Sequence, residues 1–305
     1  MTAAWLWAAG AAWAAAGVLG LGARRRGLLF GSSAVSAAGG LSALVGGVLL
    51  VLQGHDSAAL LGAGQVVGSI ALRATPLAGA FIVLLGLVSL AIGLYAPRYH
   101  SPGGGITTYL FVYNLALLAS LSVLVAGNVT TFLVAWESMT LASALVVLRH
   151  RRQRGVAQGA FLFLALGEVG FAFIVMAFVI MATQCHSLDL TVIAAHAGKV
   201  TIGWRSAAFV LALVGFGFKA GLVPLHIWLP EAHPVAPADG SAFLSGLVVK
   251  LGVYGIALFG FELLGRGSPW WGLLTMSVGA ISALLGILYA LMERDLKRFL
   301  AYSTV

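Results

Sequence analysis

Cysteine is almost missing from this chain: Cys185 is the only one in 305 residues. One thiol cannot build an intrachain disulfide, a zinc cluster or an iron–sulfur cluster. Any redox chemistry nearby therefore belongs to partner subunits, and no cofactor is expected on the chain itself. Charge is scarce too, at 9% of residues against 61% hydrophobic. A soluble globular protein cannot hide that much apolar surface. The formal net charge of +8 does not point to nucleic acid, because the charges sit in short clusters between apolar runs, which is a topology signal. Nucleophile elbow, P-loop and HExxH patterns are all lacking. "GFGFKA" (215–220) matches a dinucleotide fingerprint in form only, since it lies inside an apolar run with no strand before it. The N-terminus also lacks the charge order of a signal peptide, because Arg24, Arg25 and Arg26 follow the apolar region instead of preceding it.

What is present is a series of bilayer-length apolar runs. Nine segments stand out, near 3–22, 28–52, 76–95, 107–126, 128–148, 156–182, 206–228 (interrupted), 240–264 and 270–291. In lipid such runs must be helices to satisfy their backbone, so the fold class is an all-α polytopic membrane protein. Glycine, at 40 residues, fits close helix–helix contact through small side chains. With the odd spans running inward, the inner loops hold Arg24, Arg25, Arg26, Arg98, Arg149, Arg151, Arg152, Arg154, Arg294, Lys297 and Arg298. The outer loops hold only Arg73, Lys199, Arg205 and Arg266. This positive-inside bias predicts an outside N-terminus and a cytoplasmic "RHRRQR" (149–154). A further apolar run starts at Phe299 and stops at Val305, which reads as a tenth helix begun and a truncated chain or gene fragment.

Ionisable residues at membrane depth are functional candidates. Glu137 lies 12 residues before Arg149, roughly 18 Å along a helix and hence near mid-membrane. Lys219, Lys250 and Glu168 are also placed well inside their spans. The plainer alternative for each is a structural ion pair, or for Glu168 a protonated acid hydrogen-bonded between helices. In "GFGFKAGLVPLHIWLPEAHPVAP" (215–237), Pro224 removes a backbone donor and frees the Ala220 carbonyl beside Lys219. A helix broken at depth is tolerated where it lines a wet cavity or is buried in protein, and in transporters it marks the conduction site. The lysine and the break together predict a hydrated cavity around a titratable amine, with Glu137 as its switch if the fifth and seventh spans touch. His226 and His233 are candidate proton relays, or else two hydrogen-bonded histidines at the cytoplasmic boundary. With Pro230 between them and no third ligand adjacent, they do not make a metal site.

With those residues in place, "WESMTLASALVV", "FKAGLVPLHIWLPEAHPVAPADGSAFLSGLVVKLGVYGIAL" and "ERDLKRFLAYSTV" resemble the antiporter-like proton-conducting membrane subunits. That family includes the large membrane subunits of respiratory complex I, of multisubunit sodium/proton antiporters and of group 4 hydrogenases. The wording is most similar to hydrogenase-4 component B, and the resemblance is strongest over about 105–305. It implies that Glu137 is the fifth-helix glutamate, Lys219 the lysine of the broken seventh helix and Lys250 the eighth-helix lysine that passes the proton on. It also implies that His226 is the histidine beyond the break; Glu168 matches no motif position. The implied organisation is a three-helix segment (1–100), a first five-helix repeat forming a proton half-channel (105–265) and the start of an inverted second repeat (266–305). The twelfth-helix residue that completes the path lies beyond the chain. The implied function is proton translocation in a hydrogenase or NADH dehydrogenase-like oxidoreductase complex of a bacterial or archaeal cell membrane, with no catalytic centre in this chain. The alternatives are a sodium/proton antiporter subunit and a non-conducting structural fragment. Implied partners are other membrane and redox subunits, the lipid bilayer, and protons or sodium ions, with no nucleic acid.

Overall fold

The computed structural model describes residues 2–64 and 68–305. Among the described residues, nine helices are long and apolar enough to cross a membrane: Thr2–Gly20, Arg26–Gln53, Pro76–Tyr99, Gly105–Leu124, Val129–His150, Val156–Cys185, Ile202–Val235, Ala238–Leu263 and Pro269–Met292. The chain is an all-α polytopic membrane protein, and these helices are called the first to ninth spans. Local sequence sets their ends. Thr75 Oγ1 accepts from the Ala78 amide ahead of Pro76 at the start of the third span, where a proline costs no helical hydrogen bond. Asn128 Oδ1 accepts from the Thr131 amide to cap the fifth. A short terminal helix, Leu296–Thr304, starts at Asp295, whose Oδ1 accepts from the Arg298 amide.

The seventh span is longer than the apolar run suggests and is broken. Its first half, Ile202–Ala220, stops at Gly221, which takes a left-handed φ of 72°, a conformation glycine adopts without steric cost. The chain passes Pro224, winds through a 3-10 turn, Leu225–Trp228, and resumes as Leu229–Val235. The eighth span is α-helical over Ala238–Phe243 and Val249–Ala257, with π-helical winding at Leu244–Val248, just before Lys250, and again at Leu258–Leu263.

The loop between the second and third spans holds an antiparallel hairpin that hydropathy does not show: β1 (Ser57–Gly64) and β2 (Gly68–Ala74). It docks on the bundle through Arg73 N to Val125 O and Gly127 N to Ala71 O. Arg73 also reaches Asp56 at 2.8 Å and Glu262, at the end of the eighth span, at 3.6 Å.

The second and third spans lie almost backbone to backbone. A Cβ on Gly86 would fall 2.5 Å from Leu44 N, and one on Gly40 2.6 Å from Leu90 N, the small-residue contact that lets membrane helices approach. The fourth span is central, with 72% of its apolar window buried, whereas the ninth, at 17%, is peripheral. Between the fifth, sixth, seventh and eighth spans the core is aromatic: Phe132, Trp136, Phe178, Phe216 and Phe259 meet ring to ring at centroid distances of 4.8 to 6.0 Å.

Candidate functional site: a buried lysine at a helix break

Lys219 lies in the last turn of the first half of the seventh span and is 2% exposed. Its ammonium is 4.3 Å from the centroid of the Phe163 ring on the sixth span; such a contact contributes about 2 kcal/mol when desolvated. The C-terminal end of the half-helix adds carbonyl dipoles that favour a cation. A Cβ placed on Gly167 would be 3.3 Å from Lys219 Nζ and 3.3 Å from Thr140 Cγ2, so the glycine leaves the space in which the lysine ends. Lys219 Nζ has no hydrogen-bond partner among the described residues.

The fifth and seventh spans do touch. Phe132 and Trp136 on the fifth stack edge-on against Phe216 on the seventh at 6.0 and 5.1 Å. That contact brings Glu137, half-buried, into electrostatic range of Lys219. Glu168, on the sixth span and exposed at the surface of the chain, comes within hydrogen-bonding reach of Glu137 and also acts on Lys219. Glu137, Glu168 and Lys219 are therefore one cluster. Two carboxyl groups that meet must share a proton or hold an opposing charge between them, and Lys219 is the cation at hand. Glu168 carries no motif signal; its spacing on the sixth span does not reveal that it meets Glu137.

The break is held open by side chains. Ser282 Oγ on the ninth span accepts from the Val223 amide at 2.9 Å, and Trp228 Nε1 donates to the Phe218 carbonyl at 2.6 Å. His226, half-buried just past Pro224, lies beside the Tyr289 and Tyr302 rings at 6.4 and 6.2 Å. His233 is 2% exposed within the second half-helix, and its backbone carbonyl accepts from Ser241 Oγ at 2.7 Å. The Nδ1 atoms of both histidines lack protein partners among the described residues. Lys297 Nζ, from the terminal helix, donates to the carbonyls of Pro234 and Ala236 at 3.2 and 2.7 Å. Lys250 stands apart from the cluster, half-buried and in no ion pair among the described residues.

Sequence reasoning passed over three groups with chemistry: Phe163 under the ammonium, the Arg73–Glu262 pair, and a buried His100–Asp239 pair at 2.8 Å. His100 and Asp239 are 139 residues apart and belong to different helices, so no local pattern could join them.

This arrangement has relatives. Hydrogenase-4 component B of Escherichia coli is 37% identical over 277 residues, covering 87% of this chain and 41% of that protein. Formate hydrogenlyase subunit 3 of the same organism is 30% identical over 272 residues, covering 87% of this chain and 42% of that one. The solved structure of the Mrp complex from a Dietzia species superposes with a TM-score of 0.84 at 25% identity, over 99% of this chain and 32% of the matched chain. The chain thus spans less than half the length of these relatives. The family model described as NADH:quinone oxidoreductase/Mrp antiporter, TM, matches residues 126–305, the segment that carries the cluster and the break, and the chain belongs to that family of antiporter-like membrane subunits.

Proposed function

We propose that this chain is a proton-translocating membrane subunit of a hydrogenase or NADH dehydrogenase-like complex. The observation that carries the proposal is Lys219, a buried amine at a helix break with no hydrogen-bond partner among the described residues, within range of two carboxyl groups. Such an amine is expensive as a structural element and useful as a proton carrier. Glu137 and Glu168 bias its charge; His226 and His233 line the approach; Lys250 receives the proton in the next span. The basic loops lie in the cytoplasm and the N-terminus outside, in the bacterial inner membrane. Partner subunits carry the electron-transfer chemistry. A multisubunit sodium/proton antiporter is the second reading, favoured by the Mrp superposition.

The test is Lys219→Ala and Glu137→Ala in the complete protein within its membrane complex, followed by proton uptake in inverted vesicles. Lost pumping with intact assembly is expected; normal pumping in both variants sinks the proposal. Transport that requires sodium ions in the wild type selects the second reading.

A further inference from the structure

A second buried polar cluster lies away from Lys219, where the third span ends and the eighth begins. His100 Nε2 is 2.8 Å from Asp239 Oδ2, with the two side chains only 5% and 1% exposed. Among the described residues, Asp239 Oδ1, Tyr113 OH, Asn114 Oδ1, Ser33 Oγ and Ser36 Oγ make no hydrogen bond, while Tyr109 lies within hydrogen-bonding reach of Asp239. Five of these residues, Ser33, Ser36, Tyr113, Asn114 and Asp239, line one small cavity between the second, third, fourth and eighth spans. A buried polar group left unsatisfied is destabilising. Several polar groups converging on one buried cavity is the setting in which an ordered water binds. The pair also continues an aromatic file, with His100 5.1 Å from Tyr109 and Tyr109 6.4 Å from Tyr113.

We propose that His100 and Asp239 form a hydrated proton relay that takes up protons at the basic end of the bundle by a route separate from His226 and His233. This rests on the proton-translocating function above. In this relay the imidazole passes the proton, Asp239 fixes the ring through the 2.8 Å contact, and the phenols and a water in the cavity carry the proton inward. Asp239 and Lys250 occupy one span eleven positions apart, roughly 16 Å of helix, so the relay opens onto the span of the second lysine. The ionisable groups around the pair are Tyr95 and Tyr99 from the third span, Tyr109 and Tyr113 from the fourth, Arg149 and His150 from the fifth, and Lys297 from the terminal helix.

The experiment measures proton uptake against pH in inverted vesicles holding the intact complex, for Asp239→Asn, His100→Gln and Asp239→Glu beside Lys219→Ala and Glu137→Ala. The Asn and Gln variants are expected to slow uptake on the order of tenfold, less than the 10²–10⁴ of a group acting directly on a reacting bond, and to change the pH profile of uptake. Asp239→Glu is expected to recover most of the rate. Wild-type rates and pH profiles in both the Asn and Gln variants overturn the relay while leaving the lysine pathway standing. A slowed rate with an unchanged profile and no recovery by Asp239→Glu also overturns it, reducing the pair to a helix tie. Normal uptake in both Lys219→Ala and Glu137→Ala removes the translocation reading and the relay with it. If Asp239→Asn does not assemble, His100→Gln, which keeps a polar side chain beside the carboxylate, carries the test.

Discussion

The second and third spans and the fifth to eighth spans both reach close helix contact through glycine, with Gly170 against Gly215 and Gly252 against Ala220 in the second group, but the second group adds a charged site. In the first pair, Gly40, Gly47, Gly79, Gly86 and Gly93 recur at seven-residue intervals along each helix and bring backbone against backbone, with no ionisable side chain between Gly27 and Val51. In the second group, glycine makes room for chemistry: Gly167 leaves space for the Lys219 ammonium. The first arrangement produces a rigid seam. The second produces a site in which charge, a helix break and a ring contact occur together, because a charged side chain at depth is tolerated only with partners and exchangeable water.

Lys219→Met probes this contrast most strongly. It is expected to abolish proton transport with at most a modest loss of thermal stability, since removing one partner of a buried pair is destabilising but Glu137 is half-buried and Glu168 exposed. Transport assays and thermal unfolding of the same detergent-solubilised complex check both halves, and a large fall in melting temperature would make the lysine structural. Gly86→Leu has the reverse profile: the added side chain meets backbone atoms of Leu44 and Gly40, and a loss of about 1–3 kcal/mol is expected for overpacking. Gly279→Leu, where a Cβ meets nothing within 4 Å, is the matched control and should unfold like the wild type. Ser282→Ala removes the acceptor for the Val223 amide and is expected to cost about 1 kcal/mol while slowing transport.

The smallest effect concerns Lys297, outside the spans, whose pKa burial lowers against the opposing pull of Asp295 and Asp239. A lysine with a lowered folded pKa binds fewer protons folded than unfolded, so stability rises with pH between the folded value and the ordinary one near 10.4. That rise is expected to disappear in Lys297→Met, as read by thermal unfolding across the alkaline range.

The spans and the break near Pro224 were legible in the sequence, because hydropathy and proline act locally. The length of the seventh span was not: apolar character fades after Trp228, while the helix resumes through Pro230, Glu231 and His233 to Val235. The hairpin was hidden because Ser57–Gly64 and Gly68–Ala74 are short, mixed in polarity and stabilised by tertiary contacts such as Arg73 with Glu262. Glu168 shows why pairing stays out of reach: its partner Glu137 sits on another helix, and only the rotation of the two helices decides whether they meet.

The hydroxyl of Ser282 gives the break a mechanical character. It accepts from Val223, 59 residues earlier in the chain, and donates to Val278 on its own helix. The gap in the seventh span is therefore pinned from outside, like a hinge whose bolt belongs to the neighbouring frame. Any displacement of the ninth span pulls directly on the joint beside Lys219, so the amine's surroundings answer to a helix that never touches the proton.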